Sequence, residues 1–452
     1  MCAASSSESI RPLAVEGAGI AVRAANGLAY HLTPMLDVAL LREHPEAIAE
    51  SMLRRGLDAD LTALIGLDEA VRVRKRQAEQ TRAEQKEAGK RIANLTGADK
   101  EAAIAASANL AEAYKRLTSE VEALESDFQG SWEKVPNLVD PTAAEGHTDV
   151  GNLEIKRWSE PVHRDYPVRD HQDLGESLDV IDTDRGAKVS GSRFGYLKGK
   201  AVLLEFGLVR FAFDRLVTAG FTPMVPPVLV RDTALHGTGF FPGDREQVYA
   251  VEADDLYLVG TSEVPLAAYH AEEILDEEAL PVRYAGFSTC FRREAGTYGK
   301  DTRGIFRVHQ FDKVEMFVFT RPEDAAAEHE RLLALEESIV QGLELPYRVV
   351  NIAAGDLGSS AAKKYDIEAW FPGQEAYREV TSCSNTTDYQ ARRLRVRYKG
   401  ATGNRLVHTL NGTAVAIGRA ILAILENHQQ ADGSVAMPAA LRPYLGFDVI
   451  AP

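Results

Sequence analysis

The sequence has few cysteines and no long apolar run, and each absence excludes a class of protein. Its 452 residues contain only three cysteines, Cys2, Cys290 and Cys383, at wide spacing. A disulfide framework or a zinc site needs cysteines in paired positions, so neither is predicted and a reducing cytoplasmic compartment is expected. No apolar stretch approaches the roughly 20 residues needed to cross a bilayer, so we expect no association with a membrane.

Two familiar nucleotide-binding signatures are also absent. Residues 195–200 read G-Y-L-K-G-K, which is one residue short of a Walker A loop and lacks its Ser or Thr. Residues 237–242 read G-T-G-F-F-P, which lacks the third glycine of a dinucleotide fingerprint and has proline where the helix would begin. Any nucleotide must therefore be bound by a different kind of site.

An excess of positive charge is missing as well, because the formal net charge is -16. This charge argues against indiscriminate binding of polyanions, so a nucleic-acid partner would need a local basic surface. The hydrophobic fraction of 45% and charged fraction of 26% are those of an ordinary globular protein. A chain of this length exceeds the usual limit of a single core, which predicts two domains.

Residues 1–34 are rich in Ser, Ala and Gly, show no clear period and end at Thr33-Pro34. They lack the apolar core of a secretory signal, and Glu8 and Glu16 do not suit an organelle transit peptide. We expect a disordered extension, or a start codon assigned too far upstream, rather than a targeting signal. These residues are left out of the fold prediction.

Residues 61–128 contain no proline and are rich in Ala, Glu, Lys, Arg and Gln, which favours long helices. Gly97 can end one helix and Asp99 can cap the next. The sequence predicts an antiparallel two-helix coiled coil, each helix about 30 residues and on the order of 45 Å long. Apolar or small residues recur every seven positions in both halves, for example at Leu64, Val71 and Ala78 and at Leu110, Leu117 and Leu124.

Charge is unevenly distributed along the first helix of this arm. The segment from Arg72 to Arg91 contains eight basic and three acidic residues. One interpretation is a solvated coiled-coil face. The other is an electrostatic arm for the phosphates of a folded RNA, recognised through its shape. The basic residues are Arg72, Arg74, Lys75, Arg76, Arg82, Lys86, Lys90 and Arg91.

A connector rich in Pro, Asp and Gly, residues 135–151, separates the arm from the rest of the chain. Beyond it, short apolar runs alternate with helical stretches such as 325–343 and 415–426. The runs cluster within 290–319 and 347–382, which indicates an α+β fold with an antiparallel sheet. We expect an N-terminal domain over residues 35–140 and a second, α+β domain over residues 150–452.

Three separated clusters in the second domain resemble the three motifs of class II aminoacyl-tRNA synthetases. Gly220-Phe221 with Pro226-Pro227 resembles motif 1, a helix and strand at the dimer interface. Residues 291–296 (F-R-R-E-A-G), continuing through Arg303-Gly304 to residues 309–311 (H-Q-F), resemble motif 2. The stretch from Asn411-Gly412-Thr413 through Gly418-Arg419 to residues 425–430 (L-E-N-H-Q-Q) resembles motif 3.

At closer range the chain is similar to the seryl-tRNA synthetases from Met35 to its C-terminus, including residues 261–263 (T-S-E) and 378–385 (R-E-V-T-S-C-S-N). The resemblance implies an antiparallel sheet core flanked by helices, an N-terminal coiled-coil arm and a cytoplasmic homodimer. It also implies ATP-dependent activation of L-serine to seryl-adenylate and transfer to tRNA(Ser), and to tRNA(Sec) where that tRNA is present. The basic residues of the arm would then bind the tRNA.

For ATP, the resemblance implies that Arg292 bridges the α-phosphate and the amino-acid carboxylate, a task suited to a planar bidentate fork. Arg419 would bind the γ-phosphate, while Glu294 and Phe311 would address adenine. Glu379 and Ser382 would supply oxygen ligands to Mg²⁺. No general base is needed, because the attacking carboxylate is already ionised at pH 7. The implied ATP-binding residues are Arg292, Arg293, Glu294, Val308, Phe311, Glu379, Val380, Thr381, Ser382 and Arg419.

For serine, the resemblance implies a pocket of buried polar groups, with an acidic group for the ammonium and with Glu315 and Thr413 for the hydroxyl. A site built around a hydroxyl rejects the analogue without it by on the order of 10⁴-fold, which would exclude alanine. Arg293 and Thr413 stand where many family members have serine, and Thr413 adds a methyl group near the substrate. The implied serine-binding residues are Thr261, Ser262, Glu263, Glu315 and Thr413.

Two other functions compete with this one. A class II relative that loads an amino acid onto a carrier protein would lack the helical arm and would use cysteine-bound zinc. A degenerate paralogue serving as a binding protein would have lost Arg292, Glu379 or Arg419, all of which are present. Taken singly, each of these residues would more often form a structural ion pair, but their joint spacing favours catalysis.

Overall fold

The computed structural model describes residues 36–296 and 304–452. The prediction for residues 1–34 and the position of Arg303 in motif 2 lie outside these ranges. Within them, no helix is both long and apolar enough to cross a membrane.

The N-terminal part of the chain is helical and has its own small core. Its helices are α1 (Val38–Glu43), α2 (Pro45–Arg54), α3 (Thr62–Ile92) and α4 (Gly97–Trp132). Buried side chains from α1 and α2 pack against the base of α3 and the end of α4, with Trp132 fully buried among them. The indole Nε1 of Trp132 donates to the Leu36 carbonyl at 3.2 Å. This core anchors the arm at its base.

Helices α3 and α4 form the predicted antiparallel coiled coil. They contain 31 and 36 residues, which corresponds to about 46 and 54 Å at 1.5 Å per residue. The predicted seven-residue spacing is confirmed, because Leu64, Val71 and Ala78 are buried on α3. The prediction that Asp99 caps α4 is wrong by three positions. The extended Thr96 is at the N-cap and Asp99 lies in the first turn, where its charge still favours the positive helix end.

The rest of the chain is a mixed α+β domain. Its helices are α5 (His171–Ser177), α6 (Thr183–Ser190), α7 (Lys200–Thr218), α8 (Asp232–Thr238), α9 (Glu263–Ala268), α10 (Ala325–Gly342), α11 (Tyr389–Leu394), α12 (Ile417–His428) and α13 (Arg442–Leu445). Its strands are β1 (Leu153–Trp158), β2 (Ile181–Asp182), β3 (Tyr196–Leu197), β4 (Thr222–Met224), β5 (Leu229–Val230), β6 (Tyr249–Val251), β7 (Leu256–Leu258), β8 (Ile274–Asp276), β9 (Val282–Phe291), β10 (Gln310–Thr320), β11 (Tyr347–Asn351), β12 (Lys363–Phe371), β13 (Ala376–Thr387), β14 (Arg397–Gly400), β15 (Gly403–Leu406), β16 (His408–Ala416), β17 (Val435–Ala436) and β18 (Val449–Ile450).

Eight of the strands form one sheet in the order β1-β11-β12-β13-β16-β10-β9-β4. All neighbours are antiparallel except β4 and β9. Helix α10 packs against β13 and β16, while α7 and α12 contribute to the large core. The predicted antiparallel sheet flanked by helices is therefore confirmed.

The predicted helix over residues 415–426 begins two residues later than expected. Val415 and Ala416 still pair with β10, so they belong to β16. Helix α12 follows this strand directly, which places Arg419 one turn beyond the end of the sheet. The junction between β16 and α12 thus lies at the end of a central strand of the sheet.

A buried guanidinium joins the N-terminal helices to the sheet domain. Arg55, at the end of α2, donates to four backbone carbonyls, of Leu357, Gly358, Asn137 and Ala361, at distances of 2.6 to 3.3 Å. Its burial lowers the pKa of the guanidinium to about 10. Three of these four carbonyls belong to the loop over residues 357–361. The Arg55 guanidinium at the end of α2 therefore fixes this loop in place.

Candidate active site

A cavity of about 450 Å³ lies against the sheet beside β10, β13 and β16 and the start of α12. The loop over residues 358–361, which Arg55 holds, forms part of its wall. The structure brings most of the predicted site residues into this wall, although they are distant in sequence. The predicted residues that line the cavity are Glu263, Arg292, Glu294, Val308, Phe311, Glu379, Val380, Ser382, Thr413 and Arg419.

The alternation of side chains along the strands explains this convergence. On β16, Asn411 and Thr413 face the cavity, whereas a Cβ on Gly412 would meet Glu336 of α10 on the other face. On β13 the pairing register shifts between Glu379 and Thr381. The extra residue of this bulge, Val380, lines the cavity together with Glu379, which a regular strand would not allow.

Two guanidinium groups reach the cavity from different elements. Arg292 follows β9, its Nε donates to the Gly260 carbonyl at 3.2 Å, and its guanidinium carbon is 5.4 Å from the centre of the Phe311 ring. Arg419 on α12 donates to the backbone carbonyl of Glu379 at 2.9 Å and lies 4.9 Å from the Phe306 ring centre. Both groups remain available to an anion in the cavity.

The Glu379 carboxylate is ionised at any neutral or mildly acidic pH. Partial burial would by itself raise its pKa, but the positive charges of Arg419, Lys364, Arg292 and Lys313 outweigh that effect and lower the pKa to about 2. Its Oε1 lies 3.5 Å from Arg419, and the side chain keeps 43% of its surface open toward the cavity. The ionised Glu379 carboxylate and the Ser382 hydroxyl both line the cavity and offer the hard oxygen donors that Mg²⁺ prefers.

The Glu294 side chain lies at another part of the cavity wall. Its carboxylate accepts a hydrogen bond from Arg307 Nη1 at 2.7 Å, and its backbone adopts a left-handed φ of 50°. Val308 lines the cavity near this pair. The fixed carboxylate of Glu294 can therefore accept a hydrogen bond from a ligand in a defined direction.

A small polar compartment adjoins the cavity at the first turn of α9. Gln390 Nε2 donates to the buried Glu263 carboxylate at 2.7 Å. Burial and the negative charge of Glu315 raise the pKa of Glu263 to about 7. Glu315 pairs with Lys313 at 2.5 Å and accepts a hydrogen bond from the Thr413 hydroxyl at 3.3 Å. Two carboxylates and one ammonium are thus buried together.

Five predicted site residues lie beside the cavity without lining it. Glu315 reaches it through Lys313 and Thr413. The Thr261 hydroxyl accepts from the backbone N–H of Glu263 at 3.2 Å. The Ser262 hydroxyl bonds the Ser288 hydroxyl at 2.8 Å, the Thr381 hydroxyl donates to the Thr413 carbonyl, and Arg293 packs 5.5 Å from the centre of the Tyr249 ring.

The sequence prediction missed several polar residues of this site, namely Lys313, Asn411, Gln390, Arg307 and Lys364. Lys313 precedes Glu315 by two positions on β10, so the period-two rule for strands could have found it. Gln390 carries no comparable signal, because α11 approaches Glu263 only through the tertiary fold. Cys290 and Cys383 are buried free thiols.

All eight basic residues predicted to bind RNA lie on α3 of the arm, but they differ in their partners. Arg74 and Lys75 form ion pairs with Glu120 and Glu125 of α4 at 3.2 and 2.5 Å. Arg72 pairs with Asp68 and Lys90 with Glu87. Arg82 stacks on Tyr114 at 4.8 Å. In the described part of the chain, Arg76, Lys86 and Arg91 form no ion pair, and all three are exposed.

Comparison with known proteins gives two family matches. Residues 35–139 match the family of the seryl-tRNA synthetase N-terminal domain. Residues 248–428 match the tRNA synthetase class II core domain of the G, H, P, S and T enzymes. A similar curated protein is the serine–tRNA ligase of Thermobifida fusca, which is 52% identical over 420 residues, covering 92% of this chain and 99% of the relative.

Solved structures give the same picture. The seryl-tRNA synthetase of Pyrococcus horikoshii, crystallised with ATP, aligns with a TM-score of 0.87 and 43% identity over 92% of this chain and 99% of that one. The cytoplasmic serine–tRNA ligase of Naegleria fowleri, in complex with AMP, aligns with a TM-score of 0.82 and 35% identity over 92% and 98%. These likenesses extend over both the helical arm and the sheet domain.

Proposed function

Since this chain belongs to the seryl-tRNA synthetase family of class II enzymes, we propose that the cavity of about 450 Å³ is its site of amino-acid activation. The protein is a serine–tRNA ligase, which uses ATP to activate L-serine and then charges tRNA(Ser). The observation that supports the site is the meeting of Arg292, Arg419 and Glu379 with the Glu263–Glu315 compartment in one cavity.

In the first step the serine carboxylate attacks the α-phosphorus of ATP. A bond forms between a carboxylate oxygen and phosphorus, the bond to the β-phosphate oxygen breaks, and pyrophosphate leaves. Arg292 binds both the carboxylate and the α-phosphate, which holds the two anions together and stabilises the charge that builds on the phosphoryl oxygens. Arg419 binds the γ-phosphate, with Glu294 and Phe311 at the adenine. Val308, Val380, Thr381 and Arg293 complete the ATP site.

In the second step the terminal ribose hydroxyl of the tRNA attacks the adenylate carbonyl. An ester bond forms, the bond to the phosphate oxygen breaks, AMP leaves, and the proton of the ribose hydroxyl is released. Transfer to tRNA(Sec), where the cell has it, belongs to the same proposal, since an arm that binds backbone phosphates recognises shape more than base sequence.

Mg²⁺ fits the donor set of the proposed ATP site. Glu379, ionised and open to the cavity, and Ser382 would hold it. Its chemistry there is to neutralise phosphate charge. Two ligands from the protein suit a cation that usually reaches its site with the nucleotide.

Serine selection is assigned to the buried polar compartment. The Glu263 carboxylate pairs with the ammonium group of serine. The Glu315 carboxylate accepts a hydrogen bond from the serine hydroxyl, and Thr413 on β16 contacts the same hydroxyl. Thr261 and Ser262 hold the turn that leads into Glu263, because their hydroxyls bond Glu263 N–H and Ser288. Alanine would leave the buried Glu315 acceptor without the substrate hydroxyl, a loss that costs several kcal/mol in sites of this kind.

The remaining parts of the chain have proposed roles of their own. Residues 35–140 form the tRNA-binding domain and residues 150–452 the catalytic domain. The eight basic residues of α3 contact the tRNA backbone.

A homodimer is supported by α7, where Leu203 and Phe206 are 51% and 60% exposed, since large apolar side chains rarely cluster on a free surface. The cytoplasm is the proposed compartment.

The pH dependence of serine binding tests the assignment of Glu263. Only the ionised carboxylate attracts an ammonium group, and its pKa is about 7. The KM for serine in ATP–pyrophosphate exchange should therefore rise about tenfold for each pH unit below 7 and level off above it. The KM for MgATP, measured in the same series, is the internal control. A serine KM that stays constant from pH 5.5 to 8 would exclude Glu263 as the ammonium partner.

A further inference from the structure

The ammonium group of Lys313 is buried in the wall of the proposed serine compartment. Its Nζ lies 2.5 Å from Glu315 Oε2 and 3.5 Å from the Thr413 hydroxyl. The Lys313 and Glu315 side chains keep only 8% and 2% of their surfaces exposed. A buried pair this close is a fixed part of the site, because neither charge can turn to water.

We propose that Lys313 is a specificity-determining residue for serine, which directs the Glu315 carboxylate toward the substrate hydroxyl and offsets its charge so that Glu263 can receive the substrate ammonium. This inference rests on the proposed serine pocket and adds to it a residue that the motifs do not point to. Two observations carry it: the charges of the compartment and the geometry of Glu315.

The buried charges of the compartment require a second cation. Glu263 and Glu315 are two buried carboxylates in one compartment, and serine brings a single ammonium, since Arg292 takes its carboxylate. Without a second cation, two such carboxylates hold a proton between them. Lys313 is that cation, and its positive charge lowers the pKa of Glu263.

The other groups around the compartment do not replace it. Gln390 and Asn411, which bond Glu263, are neutral. Burial raises the pKa of the Cys290 thiol and raises that of Glu336, beneath β16, well above its usual range, so both are uncharged. Glu379 is paired with Arg419.

The second observation concerns direction. An ionised carboxylate only accepts hydrogen bonds, so Glu315 can distinguish serine from alanine if its oxygens are held toward the substrate. Lys313 and the Thr413 hydroxyl both contact Oε2, from β10 and from the neighbouring β16. A protonated Glu315 would instead be a donor as well as an acceptor, and would no longer require a hydroxyl on the substrate.

The test is the pH profile of kcat/KM for serine in ATP–pyrophosphate exchange. Lys313→Met should shift the rising limb to higher pH by at least about one unit, which is about a fivefold loss at pH 7, where Glu263 is half ionised in the wild type, and about a tenfold loss well below that pH. Glu315→Gln should move the limb in the opposite direction, because it removes the charge that repels Glu263. The double variant should return the limb close to its wild-type position, since both charges are gone. The preference for serine over alanine should fall in all three.

Lys363→Met is the matched control, since Lys363 is on β12 of the same sheet, stacks on Tyr365 at 4.8 Å and does not line the cavity. It should leave the profile unchanged. The double variant also guards against misfolding of Lys313→Met, because it leaves no unpaired buried charge. A Lys313→Met enzyme whose activity falls equally at every pH, with serine preference intact, would overturn the inference. A wild-type enzyme that does not activate serine would instead overturn the proposed function.

Discussion

Replacing Arg292 by alanine is expected to lower serine-dependent ATP–pyrophosphate exchange by about 10³-fold or more, in the range found when a group that stabilises developing charge is removed. Arg292 lies in the cavity and its Nε makes one hydrogen bond, to the Gly260 carbonyl. In the proposed mechanism, the Arg292 guanidinium is the one group that binds both reacting anions. Both kcat and kcat/KM should fall.

Two variants and a stability measurement make this result specific. Arg292→Lys keeps the charge but loses the planar fork, so it should recover only a small part of the activity. Arg293→Ala removes the next side chain, which packs on Tyr249 without lining the cavity, and its loss should be much smaller. The thermal unfolding midpoint of Arg292→Ala should stay near that of the wild type. A folded Arg292→Ala enzyme with substantial exchange activity would show that motif 2 is misassigned.

Removing the arm is expected to separate the two half-reactions. If residues 71–124 are replaced by a short linker, serine-dependent exchange should stay within about twofold of the wild type, while charging of tRNA(Ser) is lost. The cut leaves the base intact, because Leu64 and Trp132 of the small core and the Arg55 contacts lie outside it. Lys75 Nζ lies 2.5 Å from Glu125 Oε1, so α3 and α4 run side by side close to the cut ends at residues 70 and 125.

A variant that keeps the whole arm but reverses some of its positive charges is the matched control for the deletion. Arg76, Lys86 and Arg91 are exposed cations of α3 without an ion-pair partner in the described residues, so changing all three to glutamate leaves the interhelical ion pairs in place. Charging should weaken and its dependence on salt should become shallower, because fewer phosphate contacts release counterions. If exchange and charging fall together after removal of the arm, the proposed division of labour is wrong.

The extent of prediction from sequence differs between parts of this fold. The arm was predictable because its seven-residue spacing is local, and Leu64, Val71 and Ala78 are buried as that spacing requires. The end of β16 was not, because Val415 and Ala416 read as helical until their pairing with β10 is known. Local patterns thus predicted elements, while long-range pairing set their limits.

The site shows the same division. The sequence resemblance predicted that Arg292, Glu379 and Arg419 belong to one ATP site, and all three line one cavity. Contacts between distant segments had no sequence signal: Arg55 bonds a loop some three hundred residues away, and Gln390 bonds Glu263 from α11. Which hydroxyls face the cavity also depended on the fold, since Ser262 bonds Ser288 instead.

We propose that the cavity activates serine and rejects other amino acids through its buried carboxylates. The most direct measurement is ATP–pyrophosphate exchange by the purified protein with each of the twenty amino acids, at fixed ATP and Mg²⁺. Serine should be the best substrate by a wide margin, with alanine lower by on the order of 10⁴-fold in kcat/KM. Faster exchange with any other amino acid, or no exchange with serine, would contradict the account.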